Sequence, residues 1–117
     1  MNTLAVLAAF AAIVSGPAAA AGLADGARIG TAIAGNTVQG SMLSTGVYTE
    51  FYAEDGEIRG AGYQGAWSVR DDTMCFDYGS DPENCWQVRL EGDQVTWVQD
   101  GRDLGTGTIV AGNVNDF

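Results

Sequence analysis

The sequence contains no histidine and no lysine. Without histidine, Ser-His-Asp and Cys-His nucleophile systems, His-ligated zinc or copper, and imidazole acid–base steps are excluded. Without lysine, Schiff-base chemistry and Walker-type phosphate loops are excluded as well. Basic residues are scarce altogether: five arginines stand against fifteen acids, a net charge of −10, which leaves no basic patch for nucleic acid or anionic lipid. Apolar runs of bilayer length are also missing. The longest, Leu4 to Val14, has 11 residues, where a spanning helix needs about 18 or more.

That short run has the form of a signal-peptide core. It is followed by Ser15, Gly16, Pro17 and then Ala18-Ala19-Ala20-Ala21, which supplies the small side chains that a signal peptidase requires. Met1-Asn2-Thr3 carries no basic side chain, so the terminal amine is the only positive charge before the run. No cysteine lies near the cut, and a lipid anchor is not expected. The expectation is a signal peptide over residues 1–21 and a single domain over 22–117, periplasmic or secreted, with no stable membrane insertion after cleavage. Apolar residues make up 46% of the chain, with three Trp, four Tyr and four Phe. A packed core is therefore expected, with the acids as a solvated surface.

Past residue 22, Asp25 stands where a helix N-cap would, Ile29 and Ile33 are four apart, and Gly35 follows. These predict a short helix over about Gly26 to Ala34, too poor in apolar residues to be more than a lid or plug. From Asn36 onward, short β-prone runs alternate with glycine- and aspartate-rich breaks every eight to twelve residues or so. Eight runs are predicted: Asn36 to Leu43, Val47 to Ala53, Glu57 to Ala61, Gly65 to Arg70, Thr73 to Tyr78, Cys85 to Leu90, Gln94 to Gln99 and Leu104 to Ala111. Asp55-Gly56, Asp71-Asp72, Gly92-Asp93 and Asp100-Gly101 supply turns that tolerate positive φ. The fold class expected is all-β, an antiparallel meander forming a small barrel or sandwich.

Cys75 and Cys85 are the only cysteines, and in an exported chain a disulfide is the default. A metal pair or redox pair fits poorly: nine residues intervene, and no histidine completes a zinc site. A hairpin register that sets Cys75 opposite Cys85 sets Met74 opposite Trp86. Alternation then gives a core face of Met74, Phe76, Tyr78, Trp86, Val88 and Leu90 and an outer face with Cys75, Asp77, Cys85, Gln87 and Arg89. The disulfide is thus expected on the solvent side of the hairpin. Tyr48, Glu50 and Tyr52 share one face of their run, either lining a ligand mouth or, as the plainer expectation, belonging to a half-exposed strand. Gly105 and Gly107 within a strand mark a bend or close packing.

Carboxylates are the one catalytic group in supply. A glycoside hydrolase would need two facing across a cleft, and Glu50 with Glu57 or Asp77 is the pairing to consider. Turn chemistry and solubility account for most acids without catalysis. Asp81-Pro82-Glu83-Asn84 is the densest oxygen cluster; it matches no twelve-residue calcium loop and reads as an acidic hairpin tip, with weak calcium binding as the alternative, and no cofactor is expected. Phe117 ends a tail expected to be pinned by its ring.

The ordered series Gly35-Asn36-Thr37-Val38, Tyr52-Ala53-Glu54-Asp55-Gly56, Gly65-Ala66-Trp67-Ser68-Val69, Met74-Cys75-Phe76-Asp77-Tyr78, Cys85-Trp86-Gln87-Val88 and Gly105-Thr106-Gly107-Thr108-Ile109 resembles a group of small exported proteobacterial proteins without assigned activity. A fainter likeness is to calycin-type barrels of the streptavidin and lipocalin kind. These resemblances imply a β-barrel and export, and no functional residues. The expected function is non-enzymatic: a binding or inhibitor-like domain whose partner is a small ligand or an envelope protein. Tyr48, Tyr52, Tyr63 and Trp67 are the candidate ligand-binding residues, with Trp86 and Trp97 as further aromatics, and core filling is the expected role of each Trp. A carboxylate-dependent glycan hydrolase and a structural envelope protein are the alternatives.

Overall fold

A computed structural model describes residues 22–80 and 82–117; the signal-peptide segment 1–21 lies outside the described residues. The chain opens with helix α1 (Gly26–Ile33) and continues through eight strands: β1 (Asn36–Met42), β2 (Gly46–Tyr52), β3 (Glu57–Gly60), β4 (Tyr63–Arg70), β5 (Thr73–Asp77), β6 (Asn84–Glu91), β7 (Gln94–Gln99) and β8 (Arg102–Ala111). Each strand pairs with its neighbour in sequence, and β1 pairs antiparallel with β8 to close a barrel. Of the two expected architectures, the barrel is therefore the one formed. Closure follows from the meander: once the last strand meets the first, neither β1 nor β8 is left as an open edge strand.

The turns form where their residues allow positive φ. The loop between β7 and β8 is Asp100-Gly101, with φ of 53° and 73°, the geometry of a two-residue hairpin that matches the strand twist. The register of the β5–β6 hairpin is as expected, with Cys75 opposite Cys85 and Met74 opposite Trp86. Cys75 and Cys85 form the disulfide. It lies on the outer face, but Cys75 is only 1% exposed. The solvent-side expectation is corrected to that extent: Thr73 and Glu83, each two residues along the chain from a bridging cysteine, lie against the bridge.

Helix α1 plugs one end of the barrel. The Asp25 side chain accepts a hydrogen bond from the Arg28 N–H at 2.9 Å, a standard N-cap. Ile29 and Ile33 are fully buried, one turn apart on the face turned into the barrel. Gly26 N–H donates to Asp72 Oδ1 at 2.8 Å, and Arg28 Nη2 donates to the Leu90 carbonyl. The segment before the helix is tied to β6, where Ala24 N–H donates to the Val88 carbonyl. Val38, Ile58, Met74, Val88 and Val95 meet the two isoleucines in one core cluster at this end. No described helix is long and apolar enough to cross a membrane.

Phe117 is pinned through its backbone: its N–H donates to Asn113 Oδ1, and its carbonyl oxygen accepts from Asn113 Nδ2 and Arg59 Nη1.

Candidate functional site

The other end of the barrel is open. It holds a cup of about 690 Å³ rimmed by the β1–β2 turn (Ser44, Thr45), by Tyr63 at the start of β4 and by the Pro82–Asn84 approach to β6. Its walls are aromatic, with Tyr48 and Tyr52 from β2, Phe76 from β5, Tyr78 just beyond it, Trp86 from β6 and Trp97 from β7. These rings reach the interior because strand alternation sends them there: Gly40 pairs with Tyr48, Val38 with Glu50 and Asn36 with Tyr52. The volume lies within the roughly 300–1,000 Å³ range of small-molecule sites.

Interior glycines make room for these rings. A Cβ on Gly107 would lie 2.5 Å from Tyr48 Oη, and one on Gly60 would lie 2.3 Å from the Tyr63 ring. The expectation of close packing at Gly107 is met, and the partner is a wall of the cup. Tyr48 is fixed further by its hydroxyl, which accepts from Trp97 Nε1 at 2.7 Å and donates to the Thr106 carbonyl at 3.0 Å. Burial pushes the Tyr48 hydroxyl up to about 12, so it remains a neutral donor. Phe76 stacks on Tyr78 and meets Trp97 edge-on.

Glu50 sits inside this aromatic wall, 6% exposed. Tyr78 Oη lies 2.9 Å from one carboxylate oxygen and 3.1 Å from the other, and Tyr52 Oη donates at 3.3 Å. The Tyr63 hydroxyl is near enough to the carboxylate to help hold its charge. Burial raises the Glu50 pKa, and the tyrosine hydrogen bonds oppose that rise without cancelling it. Burial likewise raises Tyr52, Tyr63 and Tyr78, with the neighbouring carboxylate adding to the effect. Glu50 thus faces a ligand-sized cup rather than solvent. The half-exposed strand is corrected here: Tyr48, Glu50 and Tyr52 face the barrel interior.

Three of the four candidate residues, Tyr48, Tyr52 and Tyr63, line the cup. Trp67 does not. Its Nε1 donates to the Ala53 carbonyl at 2.9 Å, its ring meets Tyr52 edge-on, and it packs against the core cluster. Trp67 fills core, as expected of a Trp. Trp97 is buried but forms part of the cup wall, and Trp86 is half-buried beside it. Met42 and the Ser44-Thr45 turn were not legible as site residues. Their signal was available in β1, where Met42 shares its face with Val38 and Gly40.

The hydrolase pairing is not assembled. Glu57 bonds Arg59, two residues along the same face of β3, and Asp77 is exposed and accepts from the Gly79 N–H. Both alternate to the outside of the barrel while Glu50 points in, so neither faces it across a cleft. Of the oxygen cluster, Asp81 lies outside the described residues. Glu83 pairs with Arg70, and Asn84 Oδ1 accepts from Gln99, so both are engaged without a metal. The one grouping of metal-ligating atoms among the described residues is Cys75, Glu83 and Cys85, whose sulfurs are joined to each other and cannot act as thiolate ligands.

Comparison with protein-family models, with curated proteins and with solved structures gave no match.

Proposed function

We propose that this chain is an exported, non-enzymatic binding protein that holds a small organic ligand in the open end of its barrel. One observation carries the reading: a preformed cup of about 690 Å³ with aromatic walls and the buried carboxylate of Glu50. An apolar pocket with one or two convergent polar groups fixes a ligand's orientation while burying most of its surface. The closed eight-stranded barrel and the disulfide are consistent with that role outside the cytoplasm. The lack of histidine and lysine, and the separation of Glu50 from every second carboxylate considered above, leave binding as the better use of the site.

Trp86 and Trp97 provide the readout. Titrating the purified, oxidised protein with small cationic, neutral and anionic aromatic probes is expected to change tryptophan fluorescence saturably, at one ligand per chain, for at least one class. Trp86→Ala is expected to weaken that binding by roughly tenfold, the effect of losing one well-packed aromatic contact. Absence of saturable binding across all three classes would rule the reading out. A second reading rests on Leu43 and Val47, which are 79% and 87% exposed at the same lip and would suit contact with an envelope protein. In that case Leu43→Asp, at a residue that does not line the cup, abolishes partner capture and leaves probe binding intact.

A further inference from the structure

Resting on the small-ligand reading, we propose that the ligand is a primary or secondary organic ammonium ion, its N–H group directed at Glu50 and its apolar part held between the aromatic walls. Among the described residues no cationic side chain lines the cup. The arginines are placed elsewhere: Arg28 on the Leu90 carbonyl, Arg59 on Glu57, Arg70 on Glu83, Arg89 on Asp103, and exposed Arg102 opposite Gln99. Glu83, the other acid at the cup among the described residues, has its carboxylate tied to Arg70. Glu50 is therefore an acid inside the site with neutral partners only.

Those partners leave it incompletely satisfied. A carboxylate offers about four acceptor sites, and the two tyrosine hydroxyls that hydrogen-bond it, those of Tyr52 and Tyr78, supply one proton each. The Tyr78 proton serves two oxygens at once and the Tyr52 contact is long at 3.3 Å. A ligand donor has a place to bind. An anionic ligand would meet a like charge in a low-dielectric site, and a neutral one would leave the carboxylate uncompensated. A cation removes that deficit, and the same site offers it ring faces: Tyr78, Trp86 and Trp97 line the cup around the carboxylate, and an ammonium over such rings is further attracted by their quadrupoles. The net charge of −10 also draws cations toward the protein and repels anions.

The groups that face Glu50 are the hydroxyls of Tyr52, Tyr63 and Tyr78, with Tyr48 close by. All stay neutral as Glu50 titrates, since each of them is raised. Binding an ammonium ion holds Glu50 ionised, so uptake of the cation is coupled to release of a proton whenever the free site is protonated.

Three probes of nearly equal shape test the assignment by calorimetry on the oxidised protein: 2-phenylethylammonium, 2-phenylethanol and phenylacetate. The expected order is cation tightest, by about tenfold or more over the alcohol, with phenylacetate weakest. Cation affinity is expected to rise with pH through the Glu50 titration while alcohol affinity stays level. In Glu50→Gln the preference for the cation is expected to disappear. Equal binding of cation and alcohol by the wild-type protein, or a preference for the cation that survives in folded Glu50→Gln, would overturn this assignment and leave small-ligand binding standing. Failure of all three probes and of the wider panel would overturn both. The wild-type comparison of probes and its pH profile need no variant, so poor folding of Glu50→Gln does not blunt the test.

Discussion

At the scale of single residues, Glu50 sets the chemistry of the interior. Its folded-state pKa is raised by burial, so the native protein binds this proton more tightly than the unfolded chain does. Stability from this group is therefore greatest below the ordinary glutamate value and falls as pH rises through the higher folded value. Replacing Glu50 by Gln keeps an acceptor for the tyrosine hydroxyls and removes the charge. Chemical denaturation at a series of pH values is expected to show wild-type stability declining relative to Glu50→Gln across that window, with a difference in slope of at most about 1.4 kcal/mol per pH unit, the limit for one proton. A flat difference would show that the carboxylate is no harder to ionise in the folded protein. The alternation of Tyr48, Glu50 and Tyr52 was readable in the sequence, but not which face they took. A strand with Val47, Thr49 and Phe51 on its other side has apolar groups on both faces, and local pattern alone does not choose between them.

At the scale of elements, the barrel is divided between a plugged end and an open one. Helix α1 closes its end with only two large apolar side chains, Ile29 and Ile33, both fully buried. Ile29→Ala is expected to cost about 2–5 kcal/mol of stability, the range for truncating a fully buried isoleucine. Asp25→Ala, which removes the N-cap, is expected to cost only about 1 kcal/mol. Urea denaturation measures both, and the reverse ranking would show that the helix is held by its cap and not by its plug. The helix itself was legible from Asp25, the spacing of the isoleucines and Gly35. Its position over one barrel mouth was not, because that depends on contacts with Asp72, Val88 and Leu90, which lie far away in sequence.

At the scale of the whole molecule, closure and the disulfide restrict the same chain in different ways. The β1–β8 pairing joins the ends of the meander through seven matched residue pairs. The Cys75–Cys85 bridge closes a much shorter loop within one hairpin that forms locally. Removing the bridge in a Cys75→Ala, Cys85→Ala variant is expected to lower stability by about 2.5–3 kcal/mol, the chain-entropy value for a loop of this length, with the barrel still formed. Denaturant titration gives the loss, and the far-ultraviolet circular dichroism of the variant reports the β content. A variant that fails to fold in the absence of denaturant would show that the hairpin clamp is required for closure.

The sequence by itself determined the strands, their turns, the β5–β6 register and the disulfide, because each depends on neighbours a few residues apart: alternation, φ tolerance and hairpin geometry. It also determined the chemical inventory, with histidine and lysine absent and carboxylates in excess. Only the tertiary structure decided between barrel and sandwich, turned Glu50 inward, separated it from Glu57 and Asp77, and divided the aromatics between cup and core. Trp67 and Trp97 read alike in their strands, yet one packs against Tyr52 and the core and the other forms the wall of the cup. The physical reason is closure: the pairing of β1 with β8 gives every strand an inside, and depth along the barrel axis decides whether a ring meets the plug or the open cup.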